Sequence, residues 1–366
     1  MWGAAPTVDE GIDAVSDITA PQAQGLSSDS DLPVTTPRER KTRWRPLLAW
    51  AGVMGWGGWA LLRLTGADAL PVIGPAATVL LAVTPFVAAA SPVPVLVALL
   101  SRRWWAAAAA GAVALALVAS VAPRAVGGGR PEARGPALRV VTLNAFFGRA
   151  DTGEVLDLIR RSRADVLSIQ ELTPDAARRL EHAGLTRLLP HTVIDPRPGA
   201  AGSGLYSRYP LRPLRSPGGT VFAHPAAALT LPGGRTAEIS AVHPVPPTTK
   251  AAYRYWRHDM ALLPAAAAEG GASAAANREP VRILAGDFNA TLDHATLRTL
   301  IGRGYADAAD RAGAGLVPTW SAIGEVRPPL TIDHVLVDRR CAVTDVDVHT
   351  VRGTDHRAVV AGIRLP

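Results

Sequence analysis

The sequence predicts an α/β fold: two mixed β-sheets packed face to face as a sandwich with outer helices, preceded by transmembrane α-helices. Three observations predict it. Short apolar strand patterns alternate with helical patterns from residue 137 onward. The turn signal Pro232-Gly233-Gly234 separates two strand patterns, so hairpins accompany strand–helix pairs and the sheets are mixed. Ahead of these lie uncharged runs at 46–62, 69–101 and 104–123.

The first element in chain order is a polar tail. Residues 1–37 carry six acidic residues and no Lys or Arg. Together with the basic stretch to residue 45, they read as a disordered cytoplasmic tail. They lack the basic start and apolar stretch of a signal peptide. The membrane region, 46–123, holds about three spans, near 46–64, 72–91 and 104–122, each close to the roughly 20 residues that cross a bilayer. The middle run contains Pro71, Pro75, Pro85, Pro92 and Pro94, so it can include a re-entrant piece. PRERKTRWR (37–45) and Arg102-Arg103 mark the cytoplasmic side by the positive-inside rule. Three spans then place the chain beyond residue 123 outside the cell membrane; two would invert that. A linker at 124–136 leads to a catalytic domain at 137–366.

Inside that domain, ALRVVTLNAF (137–146) and ADVLSIQEL (164–172) read as strands, with helices after each. AAALTL and TAEISAVH form a hairpin, and 249–263 a helix. VRILAGDF, LTIDHVLV, AVTDVDVH and DHRAVVAGI are later strands. EGGASAAANREP (269–280) reads as a low-complexity surface loop. Asp259 reads as solvent-facing beside His258. Cys341 is the single cysteine, which excludes an intramolecular disulfide and a thiolate metal cluster, and it reads as core packing. The net charge of +7 is modest and does not demand nucleic acid.

Polar residues break the apolar pattern at strand ends. Asn144 ends the first strand and Gln170-Glu171 the second. His243 ends TAEISAVH, Asp287 and Asn289 end VRILAG, Asp333-His334 interrupt LTIDHVLV, and Asp355-His356 open the last strand. Residues i and i+2 of an extended chain share a face, so Asp287 and Asn289 can act together on a water and a phosphoryl oxygen. Glu171 suits a hard divalent cation, with Asn144, Asp355 and Asp287 available to complete or support the shell. Asp333 can fix the tautomer of His356. Singly, each has a plain structural reading as a turn, cap or solvated residue; together they point to metal-assisted hydrolysis.

In order, VVTLNAF, VLSIQEL, GLYSRYPL, SAVHP, LAGDFNA, TIDHVLV and GTDHRAVVA resemble the endonuclease/exonuclease/phosphatase superfamily, whose fold is deoxyribonuclease I-like. The resemblance implies Mg²⁺ (or Mn²⁺) on Glu171 with Asn144 and Asp355 nearby. It implies that Asp287 and Asn289 orient water and phosphate, that His356 with Asp333 is base or transition-state stabiliser, and that His243 contacts the phosphate. Arg208 in GLYSRYPL can face the substrate, whereas Tyr206 gets no catalytic role. By architecture and Ala/Arg/Gly-rich composition the chain also resembles a membrane-anchored actinobacterial branch that includes proteins associated with teicoplanin resistance.

The expectation is a membrane-anchored, extracytoplasmic phosphohydrolase acting on a phosphoester or pyrophosphate of a small molecule, lipid or cell-envelope precursor. An extracellular nuclease is the alternative. Lys250 is the only lysine after residue 41, and the arginines are scattered, so nucleic acid is not favoured. A non-catalytic envelope-binding domain is the third reading.

Overall fold

The computed structural model describes residues 44–129, 132–216, 218–266, 280–322 and 328–366. The acidic tail expected at 1–37 and most of the low-complexity loop at 269–280 lie outside them.

Two six-stranded sheets form the α/β part. The strands are β1 (Ala137–Asn144), β2 (Val166–Gln170), β3 (His191–Asp195), β4 (Ser203–Ser207), β5 (Leu211–Leu214), β6 (Ala226–Thr230), β7 (Thr236–Val242), β8 (Val281–Asp287), β9 (Tyr305–Asp307), β10 (Asp333–Asp338), β11 (Ala342–Thr350) and β12 (Arg357–Arg364). One sheet has the order β11-β12-β1-β2-β4-β3, the other β5-β6-β7-β8-β10-β9. Each has a central parallel pair, β1 with β2 and β7 with β8, flanked by antiparallel neighbours.

Period-two alternation explains the layers. Leu138, Val140, Ile239, Ala241, Ile283, Ala285, Val335, Val337, Val359 and Ala361 face inward and form the core between the sheets. Cys341 is buried with them. The alternate residues Val141, Leu143 and Leu167 pack under helices Thr152–Ser162 and Pro174–His182. Leu284 and Leu336 pack under helix Lys250–Leu262, whose inner face carries Tyr253 and Trp256. Asp259, expected to face solvent, is buried beside Met260 on that helix, because residues three and four apart share a face.

The N-terminal apolar segment forms α1 (Trp44–Thr65), α2 (Gly74–Leu81), α3 (Thr84–Ala90), α4 (Pro92–Leu100) and α5 (Trp104–Val121). Among the described residues, Pro46–Thr65 and Trp104–Ala125 are long and apolar enough to cross a membrane. The second expected span, 72–91, is broken instead: α2 is bent by 60° from the run Thr84–Leu100. Pro85 and Pro92 each lie in the first turn of a new helix, where a missing N–H costs little. Small residues bring the helices together. Ala49, Ala98, Ala106 and Ala107 form one layer, and a Cβ on Gly52 would lie 2.9 Å from the Cβ of Pro94.

The apolar helices dock on the sheets through buried polar groups. Arg63, near the end of α1, reaches Asp293 at 2.7 Å, and Arg124, just after α5, reaches it at 2.6 Å. Asp68 accepts from the Ala295 N–H at 2.6 Å, and His294 Nε2 lies 2.7 Å from the Thr78 carbonyl oxygen. Asp293 and His294 come only a few residues after Asp287-Phe288-Asn289, so the docking loop is continuous with the strand end that carries the candidate site.

Candidate functional site

The strand parity that builds the core also builds the site. Asn144, His243 and Asp287 continue the inward-facing series of β1, β7 and β8, so their side chains emerge between the sheets at one rim. Asp333 starts β10 on the inward face, and Asp355-His356 immediately precede β12. Carboxyl ends of parallel strands and starts of their antiparallel neighbours therefore meet in one cleft, a placement typical of ligand sites.

Glu171 leaves β2 by a sharper route. Gln170 takes the inward position and spends its amide on Thr142 Oγ1 (3.2 Å) and Ser168 Oγ (2.8 Å). Glu171 then adopts φ 54°, which swings its carboxylate into the cleft. Phe146 (φ 47°), Phe147 (φ 56°) and Asn289 (φ 50°) are also left-handed without being glycine. Such strain, clustered at one rim, is held by surrounding structure and is common at functional sites. The glycine of Gly286-Asp287-Phe288-Asn289 serves another purpose: a Cβ on Gly286 would lie 1.9 Å from the Val242 carbonyl oxygen.

Asp287 is the hub. Its Oδ1 accepts from the Asn289 N–H at 2.8 Å and its Oδ2 from Asn144 Nδ2 at 3.0 Å. The same Oδ2 lies 3.7 Å from His243 Nε2 and 3.7 Å from His356 Nε2. Asn144 Nδ2 also donates to Glu171 Oε1 at 3.1 Å, and the Phe147 N–H donates to Glu171 Oε2 at 2.6 Å. Asn289 Nδ2 donates to the Pro244 carbonyl at 3.0 Å. His356 Nδ1 lies 2.9 Å from Asp333 Oδ2, leaving Nε2 toward the cleft. Trp320 Nε1 donates to Asp355 Oδ2 at 2.9 Å.

The two histidines are pushed apart electrically. Burial would lower the His356 pKa, but Asp333 and Asp287 outweigh it and lift it to about 10. Burial, reinforced by His224 and His356, lowers His243 to about 3. Burial chiefly raises Asp287 to about 7, with His356 opposing it. Glu171 is also raised by burial, partly offset by its hydrogen bonds from Asn144 and Phe147. A neutral and a cationic imidazole thus flank one carboxylate, the kind of split that separates acid from base roles.

A divalent cation fits this donor set. Asp355 Oδ1 is buried and has no hydrogen-bond partner, and it faces the cleft 3.9 Å from His356 Nε2. With desolvated Glu171 nearby, the rim offers carboxylate oxygens of the type that hold Mg²⁺. Asp287, Asp333 and His356 also converge closely enough to hold an ion. Within that trio only His356 and Asp333 are hydrogen-bonded to each other, which commits His356 Nδ1 and leaves Nε2 toward the cleft. Asn144 donates its amide to Glu171 and Asp287 and so orients both carboxylates.

The remaining expectations separate by position. His334 faces away from the cleft, bonded to Asp307 (2.7 Å) and the Ala290 carbonyl (2.8 Å). Arg208, expected to be able to face the substrate, lies at the opposite end of its strand, 3.5 Å from Asp165. Tyr206 is core. Sequence reading missed Trp320, which lies in an irregular segment. It also missed Thr354, whose Oγ1 donates to the Asn144 carbonyl (2.9 Å) and accepts from the His356 N–H (3.0 Å); a threonine two residues before a catalytic-type histidine is the available signal.

The Endonuclease/Exonuclease/phosphatase family matches residues 141–356. Comparison with curated protein sequences gives no significant match. Similar solved structures include an endonuclease/exonuclease/phosphatase from Beutenbergia cavernae DSM 12333 (21% identity, 63% of this chain and 72% of that chain, TM-score 0.44). Others are the 3′-5′ exonuclease NExo from Neisseria meningitidis (19%, 62% and 100%, 0.46) and an AP endonuclease from Archaeoglobus fulgidus (13%, 61% and 98%, 0.48). At these scores the likenesses carry no weight of their own, and the family match does not single out the actinobacterial branch. The match runs from Val141 in the first strand to His356 in the cleft, and on it the chain belongs to the endonuclease/exonuclease/phosphatase family of phosphoester hydrolases.

Proposed function

We propose that the chain is a membrane-anchored, divalent-metal-dependent phosphohydrolase that cleaves a phosphoester or pyrophosphate of a lipid-linked, cell-envelope type substrate. The observation that carries this reading is the position of Asp287 Oδ2, 3.7 Å from each of two oppositely biased histidines.

In this reading Asp287 and Asn289 orient the attacking water. Cationic His356, held by Asp333, stabilises charge on the phosphoryl oxygens and protonates or hydrogen-bonds the leaving group. Neutral His243 contacts the phosphoryl group from the other side. Glu171 and Asp355 hold the cation, with Asn144 fixing the Glu171 carboxylate. Mg²⁺, or Mn²⁺ in its place, would supply Lewis-acid polarisation of a phosphoryl oxygen.

Three features support the membrane part. The helices Pro46–Thr65 and Trp104–Ala125 have spanning length, and the bent pair, counted as one span, would be a third crossing. Arg63 and Arg124 anchor the ends of α1 and α5 to the α/β part, while Arg102-Arg103 lie at the other end of the bundle, the cytoplasmic end by the positive-inside rule. Exposed Trp44, Trp50, Trp104 and Trp105 gather near that end, as in an interfacial aromatic belt. The catalytic part then sits on the extracytoplasmic face.

The test is a substrate panel on the full chain in lipid nanodiscs: phospholipids, polyprenyl pyrophosphates and supercoiled plasmid, each with Mg²⁺ and with EDTA. Metal-dependent turnover of lipid phosphoesters supports the reading. Plasmid nicking without lipid turnover would replace it by a nuclease.

A further inference from the structure

The cleft is not walled by the α/β part alone. A cavity of about 640 Å³ lies over Glu171, Asp287 and His356, and one wall is built by Thr78, Val79, Ala82 and Val83 from α2 and the turn after it. These positions are spaced i, i+1, i+4 and i+5, so they form one face of the helix. The wall is fixed to the catalytic loop: His294 Nε2 lies 2.7 Å from the Thr78 carbonyl, five residues beyond Asn289.

The wall is apolar and open on its outer side. Val79 is 58% exposed and Leu80 is 45% exposed. Phe147, Phe222, Pro246 and Trp320 also line the cavity, and among its ionisable lining groups His294 is tied to the α2 wall through the Thr78 carbonyl. The 60° bend after α2 turns this helix out of line with the run Thr84–Leu100, which packs against α1 and α5. An apolar strip therefore continues from the phosphoryl-binding floor to the exposed apolar surface of the helices.

Resting on the proposed phosphohydrolase reading, we infer that α2 is the chain-binding wall of the active site. The substrate is a single-headed amphiphile: its phosphoryl group lies at Asp287 and His356, and its long hydrocarbon chain lies against Val79 and Val83. The chain reaches the site sideways from the bilayer leaflet around α2. Val79 and Val83 are specificity-determining residues and take no part in the chemical step. Burial of successive methylenes against them is what separates a long-chain ester from a short one.

The test compares p-nitrophenyl hexadecyl phosphate with p-nitrophenyl methyl phosphate, using the full chain in nanodiscs with Mg²⁺. The readout is the long-chain to short-chain ratio of kcat/KM. The ratio should fall by about ten-fold or more in the Val79→Asn/Val83→Asn variant, the scale of a few lost apolar contacts. It should return toward the wild-type value in Val79→Ile/Val83→Ile. A ratio within about two-fold of wild type in the Asn variant would overturn the inference while leaving the proposed function intact. A wild type that cleaves the methyl ester and not the hexadecyl ester would contradict both.

A second measurement does not depend on the packing of the Asn variant. Cys341 is the single native cysteine and is buried, so Val79→Cys gives an isolated reporter. Hexadecyl phosphate should slow its maleimide labelling, and methyl phosphate at equal concentration should not. Equal protection by both, or by neither, would overturn the inference.

Discussion

His356 Nδ1 and Asp333 Oδ2 lie 2.9 Å apart and join the start of a strand in one sheet to the start of a strand in the other. The bond fixes the imidazole so that Nε2 faces Asp287, and the charges of Asp333 and Asp287 push its pKa up to about 10 against the effect of burial. Thr319 Oγ1 accepts from the Asp333 N–H at 3.0 Å and thereby sets the carboxylate that sets the histidine. Asp333→Asn preserves the shape and removes the charge. Steady-state kinetics should show kcat falling by about 100-fold or more, the scale of a lost acid–base partner, with KM changed far less. A comparable rise in KM with kcat intact would assign Asp333 to binding.

In the proposed reading Glu171 and Asp355 hold the cation. Glu171→Gln and Asp355→Asn should each raise the Mg²⁺ concentration for half-maximal activity by about 10–100-fold, the range seen when a metal's surroundings are altered. The same variants should lose the Mg²⁺-dependent rise in unfolding temperature, because ligand binding to the native state stabilises it by mass action. An unchanged metal requirement in both would place the cation elsewhere.

Asp293 is shared by Arg63 and Arg124 and is fully buried. Burial alone would raise its pKa, but the hydrogen bonds and charges of the two arginines hold it below the ordinary carboxylate value. Asp293→Ala leaves two desolvated cations unpaired and should cost about 3–5 kcal/mol, read from denaturant unfolding of the full chain in detergent. The depressed value sets the sign of the pH dependence. The contribution is complete above the unfolded carboxylate's pKa of about 4 and is lost as pH falls through the native one.

His224 makes a second pH prediction. Burial holds it at about 4, against an ordinary value of 6.5, and neither ring nitrogen has a side-chain partner. The native protein therefore refuses a proton that the unfolded chain accepts. Its contribution is whole above about 6.5 and is lost as pH falls toward 4. Unfolding temperatures measured from pH 7.5 down to 5 should decline, and His224→Phe should lessen the slope, with His243, held at about 3, accounting for part of what remains. An equal slope in the variant would assign the acid sensitivity to other groups.

What could be read from sequence divides along physical lines. Asn144, His243 and Asp287 were legible because each ends a strand whose inward positions alternate with period two. Asp333 and His356 were legible as a pair because one carboxylate and one imidazole stand at strand starts. The docking of Arg63 and Arg124 on Asp293 was not, because it joins segments far apart in the chain and only folding reveals that they meet. The role of α2 was hidden for a related reason. A Pro-rich apolar run reads as a span or a re-entrant piece, and nothing local says that Val79 and Val83 face a catalytic floor. Trp320 sits in irregular backbone, where periodicity gives no information.

The most direct measurement is phosphoester hydrolysis by the full chain in nanodiscs, wild type beside Asp287→Asn, with Mg²⁺ and with EDTA. The wild type should turn over only with the metal, and Asp287→Asn should fall to the EDTA background while keeping the wild-type unfolding temperature to within a few degrees, a shift worth about 1 kcal/mol. Full metal-dependent turnover in a folded Asp287→Asn protein would contradict the placement of the reaction at Asp287.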